Sequence, residues 1–384
     1  MKRFRFSFLL LLGLVLLAAG LLGLSRGPAL TQYAFLPPSD PAELLNSFSQ
    51  LQKNLAESWP VMTIHGQKSG VTLTAEKPSA GSGGGVRAPG ASQNDVTLYL
   101  TGPRWSEVYP RAFVTGRPLS ALDSLEKNPV IVLDRETAFL FFGEADPLGR
   151  MVSLDGQRLE VVGVAEHSRR VGETGGFAAW VPLGTLSDCD LMVLSAPASP
   201  DISLQTVFQT SAAEVFGSGT LINLPKEGQR ATMVLRWTGL VLALWGLMAC
   251  LRRYAAYIRT QWAGIREKAQ EVYAGRLLPY AVLRLLPVAL LGALLIAAGA
   301  GMAVLAVSPA RVFPEWVPES LGDAASWVSR FRSLTGENAK PVLFRTPEAA
   351  EVRFWAGLIR WGTLLVLLSQ WKAFFPGKKQ QPVS

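Results

Sequence analysis

Cysteine and histidine are scarce in this chain, with two of each among 384 residues. Two cysteines, Cys189 and Cys250, cannot build a disulfide framework. The histidines, His65 and His167, have no paired histidine, cysteine or carboxylate at ligand spacing, and we interpret both as ordinary surface or core residues. The sequence therefore predicts no metal site and no cofactor.

Motifs for catalysis are also missing. The chain has no phosphate-binding Gly-x-x-x-x-Gly-Lys-Ser/Thr loop, no Gly-x-Ser-x-Gly elbow and no His-Glu-x-x-His pair. Residues 77–93 are rich in glycine, serine and proline, and we interpret them as a flexible insert rather than a nucleotide loop. Glu166 adjoins His167, but adjacent side chains of a strand face opposite ways. No catalytic residue is predicted, and this chain is expected not to be an enzyme.

Long uncharged runs are abundant, and their positions are uneven. One opens the chain at 6–25, and three others lie near its end, at 231–251, interrupted only by Arg236, at 285–310, and at 354–371, which contains Arg360. About 20 apolar residues are needed for a helix to cross ~30 Å of hydrocarbon. We therefore predict four membrane-spanning helices. The last is the shortest, because its strictly uncharged part covers only 361–371.

The first run has a second interpretation as a cleaved signal peptide, which shares its basic start and apolar middle. The apolar stretch is longer than the ~7–15 residues usual in such peptides, and no clean small-x-small site follows it before Arg26. We favour a retained helix.

Basic residues predict the orientation, because short cytoplasmic segments carry excess Lys and Arg. The N-terminus, the segment 252–277 and the tail 372–384 are basic, whereas 311–353 has a balanced charge. Both termini and 252–277 are thus expected in the cytoplasm, with 27–230 and 311–353 outside. The predicted order is tail and first helix 1–26, extracytoplasmic domain 27–230, second helix 231–251, cytoplasmic segment 252–277, third helix 278–310, outer loop 311–353, fourth helix 354–371 and tail 372–384.

The net charge of +8 does not indicate a nucleic-acid partner. Residues 27–229 hold 14 Lys and Arg against 21 Asp and Glu, so the predicted soluble domain is acidic. The basic excess lies beside the apolar runs, where membrane orientation explains it.

The soluble segment alternates helix and strand patterns. Apolar residues at three- and four-residue steps predict a helix over 40–58. Further helices are expected at 135–142 and 203–216, and strands at 71–74, 130–133, 151–154, 159–164, 180–183 and 191–194. Asp155-Gly156 predicts a tight hairpin turn. The fold class is therefore a four-helix membrane protein with an α/β extracytoplasmic domain between its first and second helices. Within that domain we expect a helix–strand lobe at each end of a mainly β centre.

Six short motifs in this segment occur in a specific order, at 114–123, 130–133, 138–143, 146–149, 159–164 and 180–183. Together they resemble the periplasmic core domain of MacB/FtsX-type ABC transporter permeases, over roughly 75 residues. Their glycines, Gly116, Gly149, Gly156 and Gly163, are most simply turn and strand-end residues. The motifs therefore identify a scaffold rather than a site.

The resemblance implies a location and partners. A multi-pass protein of the bacterial inner or plasma membrane is expected, bound to membrane lipids and to a separate ABC ATPase subunit. A homodimer, or a heterodimer with a related permease, is also implied. The implied function is a permease that transmits ATP-driven motion to an extracytoplasmic client or exported molecule.

The same family has a coupling helix that contacts the ATPase, and Arg259, Gly264, Ile265 and Arg266 match its pattern. Trp262 replaces the family glutamate, and 268–271 depart from the Ala-Leu-Gly-Ala that follows. An alternative is a basic amphipathic helix lying on an anionic leaflet. The departures also leave open a membrane-anchored sensor or scaffold without transport.

Overall fold

The computed structural model describes residues 2–37, 41–76, 92–167, 169, 171, 173, 176–186, 188–271, 273–318, 320–339 and 346–374. Its helices are α1 Lys2–Ser25, α2 Pro41–Asn54, α3 Trp105–Val108, α4 Ala121–Leu125, α5 Arg135–Phe142, α6 Ile202–Phe216, α7 Leu224–Glu271, α8 Ala274–Val312, α9 Ala324–Ala339 and α10 Pro347–Phe374. Its strands are β1 Leu30–Phe35, β2 Thr63–Ala75, β3 Ser92–Thr101, β4 Phe113–Gly116, β5 Val130–Asp134, β6 Met151–Leu154, β7 Gln157–Ala165, β8 Phe177–Pro182, β9 Leu191–Pro197 and β10 Gly219–Asn223.

The chain divides into two compact units. One comprises 18–229 together with 342–358, and contains the strands and the first turns of α10. The other comprises 1–17, 230–341 and 359–384, and contains most of the long apolar helices.

The ten strands form one mixed sheet in the order β10-β1-β9-β2-β3-β8-β5-β7-β4, with β6 paired to β2 and β7. The pairs β3–β8 and β5–β7 are parallel, and the other pairs are antiparallel. β2 reaches several partners because it is long and bulged: its first half pairs with β9 and its last residues pair with β6.

The two faces of the sheet differ in chemistry. One face is apolar and is covered by α2, α5 and α6, with Phe141 and Phe208 fully buried against it. The opposite face alternates apolar residues with buried polar ones, among them Gln32, His65 and Ser195. This mixed face is covered by α3 and the start of α10. The buried polar side chains Gln32, His65 and Ser195 therefore lie on the mixed face.

Several sequence predictions for this domain are confirmed, including α/β class, the helix α5 and the strands β5, β6, β8 and β9. The hairpin turn is also confirmed, with positive φ at both Asp155 (49°) and Gly156 (82°). The expectation of separate end lobes is wrong, because β10 pairs with β1, and β1 pairs with β9 in the common sheet. Most of the predicted insert 77–93 lies outside the described residues.

Four helices are long and apolar enough to cross a membrane, within Phe8–Ser25, Leu224–Gln270, Leu277–Val312 and Pro347–Ser369. α7 has 48 residues, so it is about 72 Å long at ~1.5 Å per residue. The predicted second span occupies less than half of it. The remainder continues as helix through the segment 252–271, where the sequence suggested a cytoplasmic loop.

α1 and α10 approach closely at two glycines. A Cβ on Gly13 would meet the backbone oxygen of Gly362 at 2.9 Å, and one on Gly362 would meet the backbone oxygen of Gly13 at 2.8 Å. Small residues permit such contact between apolar helices. The first helix is thus packed against the last one at these glycines.

Candidate functional site

The four predicted ATPase-coupling residues divide between two sides of α7. Arg259 and Arg266 are seven residues apart, which places them on one helix face, and both are exposed. Ile265 is buried, and a Cβ on Gly264 would clash with the guanidinium of Arg284 in α8. Two residues therefore present charge to the surroundings, Gly264 lies against Arg284 of α8, and Ile265 is buried.

Trp262 lies on the same side as the two arginines, and 61% of its surface is exposed. At 100° per residue it is within about 60° of both Arg259 and Arg266. Tryptophan and arginine are enriched among the residues that dominate binding at protein interfaces. The side of α7 defined by Arg259, Trp262 and Arg266 is the exposed α7 face.

Several contacts hold the end of α7 against the start of α8 as an antiparallel hairpin. Nearest the apolar segments, the Tyr254 hydroxyl donates to the Val288 carbonyl at 2.9 Å. Nearer the turn, the Lys268 ammonium lies 5.7 Å from the centre of the Tyr280 ring. The Arg284 guanidinium lies 4.9 Å from the same ring. These contacts make 252–284 largely a helical hairpin, which we call the α7–α8 hairpin.

A second candidate site joins the beginning of α10 to the mixed face of the sheet. The fully buried amide of Gln32 accepts from the Thr346 hydroxyl at 2.8 Å and donates to Glu348 at 3.2 Å. It also donates to the Tyr109 hydroxyl at 2.9 Å, and that hydroxyl bonds Ser195 Oγ at 2.8 Å. These five residues form the Gln32 network, and they fix the first turn of α10 on β1 and β9.

The Gln32 network borders a buried histidine. The His65 ring packs edge-on against Tyr109, with 5.2 Å between ring centres. Burial lowers the pKa of His65 to about 4, although the Glu348 carboxylate acts in the opposite direction; Arg111 lowers it slightly further. At neutral pH the ring is therefore uncharged, in keeping with the expectation of a core histidine.

Arg111 centres an adjacent cluster on the same face. Its guanidinium lies 4.6 Å from the ring centre of Trp180, a cation–π distance. It also lies 2.8 Å from Nδ1 of His167, whose Nε2 is 2.8 Å from Glu173. A guanidinium can only donate, so Nδ1 of His167 accepts the hydrogen bond from Arg111. Nε2 of His167 therefore carries the ring proton and donates a hydrogen bond to Glu173.

The sequence missed both clusters for the same reason. Glu173 is a carboxylate partner of His167 that the sequence analysis did not pair with it, whereas Glu166 lies 3.8 Å from Arg135. Gln32 and Glu348 are separated by 316 positions. Gln32, a polar residue inside the apolar strand β1, was the one sign of the Gln32 network in the sequence. It does not indicate which residues form hydrogen bonds with it.

The cavity beside Arg111 is too small for a substrate. Its volume is about 10 Å³, which is room for one water at most. Among the residues that the structure describes, no group of three or more histidines, cysteines or carboxylates is placed to hold a metal ion.

The motif residues Gly116 and Arg117 have a structural role. Arg117 forms a two-pronged ion pair with Asp123, at 2.6 and 3.1 Å, and Asp123 also caps α4 through Ser120. The guanidinium and these hydrogen bonds hold the pKa of Asp123 well below its usual range. Gly116 has φ of 77°, and a Cβ there would clash with the backbone of β7. This part of the motif is a scaffold, as the sequence indicated.

Comparison with known proteins agrees with these features. Residues 46–214 match the family model of the MacB-like periplasmic core domain. None of the curated protein sequences matches the chain.

Two solved structures are similar to half of this chain. One is the periplasmic region of MacB from Actinobacillus actinomycetemcomitans, with 17% identity, TM-score 0.37 and 88% of that chain covered. The other is the extracellular domain of the noncanonic ABC-type transporter YknZ from Gram-positive bacteria, with 19% identity, TM-score 0.36 and 100% of that chain covered. The family match covers β2 to β9 with the helices between them, and it confirms the resemblance over this segment: the chain carries a MacB-like periplasmic core domain.

Proposed function

We propose that this chain is the permease subunit of an ABC-type transporter complex, driven by a separate ATPase and acting on an extracytoplasmic client or exported molecule. The observation that carries the proposal is the MacB-like domain, which the chain places between helices of membrane-spanning length. The helices within Phe8–Ser25, Leu224–Gln270, Leu277–Val312 and Pro347–Ser369 are the four spans. Both termini are cytoplasmic, in agreement with the basic residues beside the spans.

The proposed mechanism is mechanical. α7 follows β10 without an intervening loop and continues to Glu271. A rotation of the cytoplasmic end of α7 is therefore transmitted along the helix to β10, the edge strand of the sheet. α10 supplies a second route, because the Gln32 network fixes its first turn to β1 and β9. ATP-driven movement of these helices changes the position of the extracytoplasmic domain.

The exposed α7 face contacts the ATPase in this proposal. Arg259 and Arg266 bind its surface, while Gly264 and Ile265 keep the α7–α8 hairpin closed. The alternative of a helix lying on the leaflet requires a break between the span and the basic segment. α7 is one helix across that point, which favours a hairpin that projects from the membrane.

The assembly proposed is a dimer, of two copies of this chain or of this chain and a related permease, with two ATPase subunits. It resides in the bacterial inner or plasma membrane. Lipids cover the exposed apolar side chains of the spans, and nucleic acid is not a partner.

Copurification with the ATPase tests the proposal. The full chain is extracted in a mild detergent and compared with Arg259→Ala/Arg266→Ala and with Gly264→Leu. Both variants are expected to lose the ATPase, the first through lost charge contacts and the second through displacement of Arg284. Arg253→Ala, an exposed arginine about 120° from Arg259 on the same helix, is the matched control and is expected to retain it. Absence of any ATPase from the unaltered chain would contradict the proposal.

A second function is supported by one observation. Trp262 stands where the family has glutamate, and this residue is exposed on the face that would bind the ATPase. A membrane-anchored sensor or scaffold without transport would not need that glutamate. This reading predicts that Trp262→Glu has no effect on ATPase retention, whereas the permease proposal predicts a change.

A further inference from the structure

α9 has its apolar side chains on the surface that faces away from the rest of its unit. Trp327, Val328 and Phe331 have 47%, 51% and 72% of their surface exposed. At 100° per residue they share an arc of about 100°. The most covered positions of the described part of α9 are Ser326 and Arg330, which are polar. A helix that packs on its own protein buries its apolar side chains, whereas α9 exposes them and covers polar ones.

Arginines border the apolar arc on both sides. Arg330 lies about 60° from Trp327 on one edge, and Arg332 lies about 40° beyond Val328 on the other. Long basic side chains at these positions extend past an apolar stripe toward charged headgroups. An apolar arc between basic borders is the pattern of helices that lie in the membrane interface.

The start of α9 is also fixed close to the end of α8. Phe313 follows α8 directly and stacks on Trp316, with 4.4 Å between ring centres, in a 3₁₀ turn that contacts both α8 and α9. Asp323 then caps α9 by accepting from the Ala325 amide at 2.9 Å. Trp327 donates to the Leu321 carbonyl at 3.1 Å, which orders the turn between them.

We propose that α9 is an interfacial helix that binds the surface of the outer leaflet, with Trp327, Val328 and Phe331 among the acyl chains and Arg330 and Arg332 at the phosphates. This inference rests on the proposed four-span topology, which places 311–353 outside. Continuity with α8 favours lipid over a protein partner, because α9 begins 12 positions after a helix of membrane-spanning length ends. An amphipathic helix at that position has a bilayer surface beside it whenever α8 spans.

Spin-label accessibility in nanodiscs tests this inference. The full chain is prepared in a Cys189→Ala/Cys250→Ser background and reconstituted in phosphatidylcholine with a quarter of phosphatidylglycerol. A nitroxide is attached at Val328→Cys, and the matched control is Ser329→Cys, an exposed neighbour about 100° further round α9. A third label at Leu294→Cys, 65% exposed near the middle of α8, reports the span itself.

The label at 328 is expected to be several-fold more accessible to oxygen, which dissolves in lipid, than to a water-soluble nickel chelate. The label at 329 is expected to show the reverse. The inference is overturned if the labels at 328 and 329 are equally accessible to the chelate, or if the label at 328 is protected from both reagents. In either case, a label at 294 that is accessible to oxygen and not to the chelate shows that the topology still holds. If the label at 294 is also water-accessible, the proposed topology fails instead.

A second variant keeps the test independent of the label. Phe331→Glu places a charge in the arc and is expected to shift the label at 328 toward the chelate. Tyr273→Glu introduces the same negative charge at an exposed aromatic residue outside the arc, and is expected to leave the label unchanged. If the two substitutions act alike, α9 does not bind lipid through this face.

Discussion

The sheet and the long helices use apolar residues in opposite ways. In the sheet domain Phe141 and Trp180 are at most 1% exposed. In α8, Leu294 and Ile296 are 65% and 75% exposed. None of the apolar window of α7 is buried, and only 6% of that of α8 is. The sheet domain thus carries its own core, whereas the helices need a surrounding apolar phase to cover them.

The two cysteines allow this contrast to be measured, because there is one in each region. Cys189 is 9% exposed in the core of the sheet domain, and burial, aided by two neighbouring aspartates, raises the pKa of its thiol to about 11. Cys250 is exposed on α7. With Cys250→Ser as background, labelling of Cys189 by a thiol reagent reports unfolding of the sheet domain. The free energy of unfolding then follows from denaturant titrations.

The largest expected effect is removal of a core ring. Phe141→Ala leaves a cavity under α5 and is expected to lower the free energy of unfolding by about 3–5 kcal/mol. Leu294→Ala in α8 is the matched truncation and is expected to change it by less than about 0.5 kcal/mol. Comparable losses for both substitutions would mean that the two regions do not differ as described.

Acid is expected to destabilise the sheet domain through His65. Its folded pKa of about 4 lies below the ordinary 6.5, so between these values the unfolded chain binds a proton that the folded one does not. Stability therefore falls as pH decreases through this window, by up to about 3 kcal/mol. His65→Gln should flatten the dependence, measured by Cys189 labelling with a dithiodipyridine, which reacts with thiols in acid. An unchanged slope would show that the histidine is not responsible.

The Gln32 network should contribute less than the core. Gln32→Leu keeps the volume but leaves Tyr109, Thr346 and Glu348 without the amide, for an expected loss of about 1–3 kcal/mol. Gln93→Leu is the control, since that half-buried amide bonds only the adjacent Asn94 carbonyl among the contacts described. A loss at Gln93 as large as that at Gln32 would argue against the network.

The smallest expected effect is at the exposed α7 face. Arg266→Ala should change the free energy of unfolding by less than about 0.5 kcal/mol, because the side chain is exposed. In the proposed function it nevertheless weakens ATPase retention when combined with Arg259→Ala. If the substitutions lowered the free energy of unfolding while the ATPase was still retained, the exposed α7 face would stabilise the fold instead of binding the ATPase.

Local patterns predicted local structure well. The helix α5 was predicted with its observed bounds, and in the structure these bounds are set locally, since Asp134 caps its start and Gly143 ends it. The turn at Asp155 and Gly156 was predicted because both residues tolerate positive φ. The motifs around Arg117 also predicted a scaffold, since an ion pair six residues apart is a local feature.

Long-range pairing could not be predicted in the same way. β1 and β10 have mixed sequences that do not alternate clearly, and they become strands by pairing with each other. The partners of Gln32 and His167 depend on where remote segments meet, which no local pattern encodes. The coupling residues are an intermediate case. Their positions on α7 were predicted from the sequence, but which of them are exposed and which are covered depends on the register of the α7–α8 hairpin.

The position of β1 in the sheet also determines when the domain can be completed. β1 begins five residues after α1 ends, yet its two neighbours are β9 and β10, at the other end of the domain. During synthesis the first strand therefore stays unpaired until β9, Leu191–Pro197, has been made, and its second neighbour follows only at Gly219–Asn223. Pairings that distant in sequence form slowly. The sheet of this domain is therefore completed only when β10, which directly precedes α7, has been made.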